Sequence, residues 1–304
     1  MTTFRSTFFA TIATIAIAVP ALSAQSQAQR ADPNLARALR ALAAQPVVDG
    51  HNDLPWRIRE DTVHPMDVEA YDLRKHTPGH TDLARLKQGH VGAQFWSVYI
   101  PGEKSDAAYK PKGAVASVPG YARVQLEQID IARRVIAKYP ELEWTLNSAA
   151  IPAAIKRGRI GSLLGLEGGH AIENSLDVLR AYYDLGARYM TLTHNVTLDW
   201  ADAALDSAKH RGLTSFGREV VREMNRLGML VDLSHVSPGV MSNALDVTAA
   251  PVIFSHSGSR ALVDHPRNVP DSILARVPKN GGVVMVPFVT AFVNKAVYAD
   301  DAEL

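Results

Sequence analysis

The 304-residue sequence contains no cysteine, which excludes disulfides, thiolate metal sites, a cysteine nucleophile and a lipidated cysteine anchor. It also lacks a charge imbalance: 32 lysines and arginines against 31 aspartates and glutamates leave a formal charge of +1. Nothing in that balance attracts a polyanion, so nucleic-acid binding is not expected. There is no low-complexity stretch and no internal repeat. A hydrophobic tail is missing too, because the chain closes on ADDAEL, which gives no support to a glycolipid anchor.

Apolar runs long enough to span a bilayer are absent as well. The nearest approach is FFATIATIAIAVPALSA, which follows Arg5 and precedes the polar QSQAQRADPN. A charged start, an apolar centre interrupted by Pro20 and a small-residue end have the form of a secretory signal peptide. Residues 1–28 are expected to be that signal, cleaved between Ala21 and Ala28, with a single membrane anchor as the alternative. The mature protein, from residue 34 to 304 as one domain, is then exported, periplasmic or secreted. Without disulfides it relies on the size of its core.

What the sequence does hold is 47% hydrophobic residues, ordinary for a domain with a substantial interior, and a regular alternation of patterns. Apolar, β-branched runs at 46–53, 90–100, 160–168, 187–194, 228–235, 251–257 and 281–288 predict strands. Helical periodicity predicts helices at 34–45, 121–140, 148–158, 172–186, 214–227, 238–247 and 271–278. Strands alternating with helices argue for parallel β/α units, and nearly continuous apolar strands argue for a sheet covered on both faces. The Lys-, Gly- and Pro-rich stretch 101–120 reads as a surface excursion.

Four of these runs end in side chains able to bind a metal. The first, VVDGHNDLP, places His51 and Asp53 on the same side of a strand, one pleat apart. The others end in Glu167, His235 and His256. In a parallel β/α barrel the C-terminal strand ends converge on one mouth, where the active site lies. Taken singly each residue has a plainer reading. A histidine at a strand end is commonly a hydrogen-bonded core residue, Asp53 could cap a turn, and Glu167 could pair with an arginine. Five donors at the same end of successive strands are not readily accidental.

The segments DGHNDLPW, LLGLEGGHAI, LRAYYDLGARYMTLTHN, DWADA, VDLSHVS, FSHSGSRAL and RNVPD together resemble the membrane dipeptidases, also called renal-type dipeptidases, of the metal-dependent amidohydrolase group. The resemblance runs from about Val47 to Phe292. It implies a TIM-like (β/α)8 hydrolase barrel and a zinc-dependent dipeptidase. Two zinc ions would be held there, one by His51 and Asp53, the other by His235 and His256, bridged by Glu167 and a water or hydroxide. It further implies that His194 contacts the scissile carbonyl and steadies the oxyanion, with a sixth ligand or a core histidine as the alternatives. Arg267 would receive the substrate's terminal carboxylate, where a surface ion pair is the plainer reading. Dipeptides with a C-terminal D-residue, some β-lactams, and a homodimer belong to the same expectation, as does loop-shaping by Trp200 and Asp202. The family's eighth strand bears an aspartate in a segment like GSDFDG. The 304 residues hold no such segment, so the expected barrel lacks its eighth β/α unit. A non-catalytic metal- or peptide-binding relic and an amino-acid deacylase are the competing readings. Of the remaining histidines, His170 lies close enough to Glu167 to support it, and the others are expected at the surface.

Overall fold

The computed structural model describes residues 33–103, 108 and 120–297. The expected signal peptide, residues 1–28, lies outside them, as does most of 101–120. The chain divides into two compact units, Met1–Pro46 and Val47–Leu304. In the first, Pro33–Ala44 forms helix α1.

The second unit begins with β1 (Val47–Asn52) and α2 (Leu54–Arg59), then α3 (Leu83–Gln88) and β2 (Val91–Ser97). Helix α4 (Tyr121–Lys138), β3 (Leu142–Trp144), α5 (Ala150–Lys156) and β4 (Ile160–Glu167) follow. Next come α6 (Leu176–Asp184), β5 (Ala187–Thr191), α7 (Ser215–Leu227), β6 (Leu230–Asp232) and α8 (Pro238–Val247). The chain continues through β7 (Ile253–Phe254), α9 (Asp271–Leu274), α10 (Val277–Asn280), β8 (Val283–Val284) and α11 (Thr290–Val293).

All strand pairs are parallel. The order β1-β2-β4-β5-β6-β7-β8 takes up the seven expected strands, and the unforeseen β3 pairs with the beginning of β4. Parallel neighbours joined through helices give the expected TIM-like α/β architecture. Among the described residues no ladder joins β8 to β1. The two ends of the sheet nevertheless approach: a Cβ on Gly50 would fall 2.6 Å from the Ser255 carbonyl oxygen and onto the Met285 sulfur. Gly50 therefore serves close backbone passage. Beyond β8, Val286 and Phe288 face solvent, so the expected strand 281–288 pairs only at Val283 and Val284.

The period of two along each strand sorts side chains into two packings. One set, with Trp96, Leu164, Leu166 and Met190, joins the helices in the large core. The other, Ala93, Phe95, Leu163, Tyr189 and Ile253, forms a separate small cluster on the opposite face. Counting on by two from that inner set reaches Ser97 on β2, Glu167 on β4, Thr191 on β5 and Ser255 after β7. The inner face thus changes from an apolar layer to a polar one at the C-terminal strand ends.

Candidate metal and substrate site

The five expected donors gather in this polar layer, with Glu167 at the centre. Its side chain is buried at the end of β4. Oε1 lies 2.9 Å from His235 Nε2 and 3.3 Å from His256 Nε2. Oε2 lies 3.3 Å from His51 Nε2 and accepts from Ser97 Oγ at 3.1 Å. One carboxylate oxygen therefore turns to each histidine group. Asp53 Oδ1 reaches His51 Nε2 at 3.2 Å from a half-exposed position. The tightest donor trios are His51–Glu167–His256 and Glu167–His194–His235, and Asp53 stands outside both.

These separations suit a metal. A tetrahedral ion with nitrogen and oxygen ligands at about 2.0–2.1 Å holds any two of them about 3.4 Å apart. His235 Nε2 and His256 Nε2 lie only 2.9 Å apart. The far side of the His235 ring supports the same conclusion: Nδ1 is 3.0 Å from Asn195 Oδ1, which only accepts. The ring proton therefore belongs on Nδ1, leaving a lone pair on Nε2 aimed at a carboxylate and a second imidazole. A cation between them resolves that repulsion. His235 itself sits at φ 67°, a left-handed conformation that costs a β-carbon residue energy and recurs at functional sites.

The electrostatics agree with a crowded donor set. Burial works against ionising Glu167, but the charge of His51 first, and then the adjacent His235 and His256, outweigh it and hold the carboxyl well below its ordinary range. Burial likewise opposes charge on His51, and Glu167, Tyr189 and Asp53 overcome it, so this imidazole is raised well above its usual value. His235 is pushed down by burial and then by Arg267, and His256 by burial and then by His51.

Arg267 is not the surface ion pair of the plainer reading. It is 6% exposed, and its Nε and one terminal nitrogen have no hydrogen-bond partner among the described residues. Its guanidinium lies over the Phe292 ring, 5.3 Å from the centroid, and burial lowers it to about 10. His194 packs between Tyr99 and His235, with centroids 4.7 and 4.4 Å away. Its buried Nδ1 has no hydrogen-bond partner among the described residues, and burial lowers its pKa, favouring the neutral form. His170 is buried as well, and donates from Nε2 to the Ile100 carbonyl at 3.0 Å. His90, His210 and His265 are half-buried rather than at the surface.

Several supporting groups were not foreseen. Tyr189 reaches across the inner face to place its hydroxyl 3.0 Å from His51 Nδ1. The ring has space because β4 carries Gly165, where a Cβ would strike the Tyr189 ring. Asn195, Asp232 and Ser255 also touch the donor histidines or their neighbours. The signal for Asp232 was present: a carboxylate inside the apolar GMLVDL.

Comparison with known proteins places the chain. Residues 35–303 match the family described as Membrane dipeptidase (Peptidase family M19). An uncharacterized dipeptidase of Schizosaccharomyces pombe is 45% identical over 256 residues, covering 82% of this chain and 61% of that protein. Dipeptidase 3 of Mus musculus is 44% identical over 275 residues, covering 88% of this chain and 52% of its own length. The chain thus spans between half and two thirds of the curated relatives it matches. Among solved structures, a metallo peptidase from Rhodobacter sphaeroides, liganded with a phosphinate mimic of the dipeptide L-Ala-D-Ala, superposes with a TM-score of 0.70 at 25% identity. That match covers 82% of this chain and 76% of the other. With the family match running over nearly all of the described residues, the chain belongs to the membrane dipeptidase family, whose members are metallopeptidases.

Proposed function

We propose that this protein is an exported zinc-dependent dipeptidase. The observation that carries the reading is Glu167, a buried carboxylate with one oxygen toward His235 and His256 and the other toward His51. That arrangement suits two divalent cations, one on the His51 and Asp53 side and one on the His235 and His256 side. Such ions, when bound, supply Lewis-acid polarisation of a carbonyl and a water acidic enough to attack it near neutral pH. The chain's own groups do the rest. Arg267, buried without an anion, receives the substrate's C-terminal carboxylate in a bidentate pair. His194, whose burial favours the neutral ring and whose Nδ1 has no hydrogen-bond partner among the described residues, offers a ring N–H toward the scissile carbonyl, where negative charge develops. Tyr189 and Asn195 hold His51 and His235 by their Nδ1 atoms and so keep Nε2 directed inward.

A C-terminal D-residue falls within the reading, since the Rhodobacter sphaeroides relative was solved with a mimic of L-Ala-D-Ala. Export rests on the leader composition of residues 1–28, ahead of a catalytic domain from residue 34. Among the described residues no helix is long and apolar enough to cross a membrane. Pairing of two chains, suggested by the resemblance, is checked by light scattering. The deciding experiment is hydrolysis of a dipeptide panel by the purified protein. Amino acids should be released, release should stop on chelation and resume with added zinc, and N-acylated single residues should be left intact. Cleavage of the N-acyl substrates instead would make it a deacylase, and bound zinc without turnover of any dipeptide would make it a binding protein.

A further inference from the structure

Asp232 ends β6 with no exposure to solvent, and its carboxylate has no unused position. Oδ1 accepts from two backbone amides, Ser234 N–H at 3.1 Å and Ser255 N–H at 2.9 Å. Oδ2 accepts from two hydroxyls, Thr191 Oγ1 at 2.5 Å and Ser255 Oγ at 2.6 Å. Four donors converge on one acid and fill the acceptor positions of both its oxygens.

The Ser255 hydroxyl is the link to the site. It has one hydrogen and two close partners, Asp232 Oδ2 and His256 Nδ1, the latter at 2.8 Å. Asp232 Oδ2 can only accept, so the hydroxyl hydrogen must point to it. Ser255 Oγ then meets His256 with a lone pair, and the imidazole proton must lie on Nδ1. That leaves the Nε2 lone pair facing Glu167 Oε1, 3.3 Å away, and His235 Nε2, 2.9 Å away. We propose that Asp232 is a positioning residue, which acts through the Ser255 hydroxyl to fix His256 in its metal-binding tautomer. This rests on the reading of His256 as a metal ligand.

The geometry makes the amide variant informative. In Asp232→Asn the two backbone N–H groups retain the oxygen at the Oδ1 position, so the NH2 group must take the place of Oδ2. It would then donate to Ser255 Oγ, turn the hydroxyl hydrogen toward His256 Nδ1 and drive the ring proton to Nε2, against the cation. Partners of this kind typically contribute 10–100-fold to metal affinity.

The test is zinc affinity of the full-length protein, measured by competition with a chromogenic chelator, together with the visible absorption of the cobalt-loaded form. Asp232→Asn should weaken one site about 10–100-fold and alter the cobalt spectrum, and Ser255→Ala should weaken the same site. With Ser255→Ala already present, Asp232→Asn should weaken it no further, because the link is gone. Unchanged affinity in Asp232→Asn would overturn the proposal, and so would an equal loss with and without Ser255, since Asp232 would then act through the fold alone. If Asp232→Asn does not fold, Ser255→Ala decides, as it leaves the other three donors on Asp232 in place. His256→Ala separates the two levels. Zinc content unchanged in that variant refutes His256 as a ligand, whereas zinc lost there but bound normally by Asp232→Asn refutes only the role of Asp232.

Discussion

Arg267 is a cation from which folding has removed most of the water without pairing it with a carboxylate among the described residues. Burying an uncompensated charge costs several kcal/mol, and an apolar residue of similar size at such a place is commonly neutral or stabilising by about 1–4 kcal/mol. Arg267→Met should therefore raise the unfolding midpoint of the ligand-free protein in urea while lowering kcat/KM for dipeptides about 100-fold or more. A variant that loses stability instead would mean that the guanidinium is needed by the fold. His170 gives a pH dependence of definite sign. Burial lowers it to about 4, below the ~6.5 of an unfolded chain. Between those values the unfolded state binds more protons, so stability is flat above about pH 7.5 and falls as pH drops toward 4, by ~3 kcal/mol in all. In metal-free protein, His170→Gln should flatten this acid limb, as seen in urea midpoints between pH 7.5 and 4.5, and an unaltered limb would contradict the assignment.

Asp202 gathers one end of the loop between β5 and α7. Asp202 is fully buried and accepts backbone N–H groups of Lys209, His210 and Gly212 at 2.8 to 3.0 Å. Asp202→Ala orphans three donors at once, and at about 1 kcal/mol each should lower stability by ~3 kcal/mol. Hydrogen exchange should show the added opening concentrated in residues 197–213, and a loss spread evenly over the sheet would refute this local role. The expected elements were legible where the period of two or of 3.6 ran long enough. Six of the seven expected helices formed, α1 ahead of β1 and five between later strands, but 271–278 broke into α9 and α10, with Pro278 opening a second short turn. Strand β3 was missed because three residues, LEW, carry no alternation. The donors themselves could be read because each closes an apolar run. Tyr189, Asn195 and Ser255 could not, because their roles depend on partners 138, 40 and 23 residues away, across strands.

The whole domain is a parallel sheet whose inner face is apolar along the strands and polar at their C-terminal ends. Its seven main strands were foreseen, and its parallel order follows from helices joining successive strands. Strand order also explains why distant residues meet. His51 on β1, Glu167 on β4, His235 beyond β6 and His256 beyond β7 share one pocket only because the sheet bends round far enough to bring β1 within contact of Ser255. Metal should therefore stabilise the entire domain rather than one hairpin, by an amount that grows with free metal as RT ln(1 + [M]/Kd), ~4 kcal/mol at a thousandfold excess over Kd. The most direct measurement is the metal content of the purified protein, dialysed against zinc and then against buffer, beside Glu167→Ala treated identically. Two zinc ions per chain should be retained by the protein as it stands and at most one by the variant. Zinc retained equally by both, or by neither, would contradict a metal centre built around Glu167.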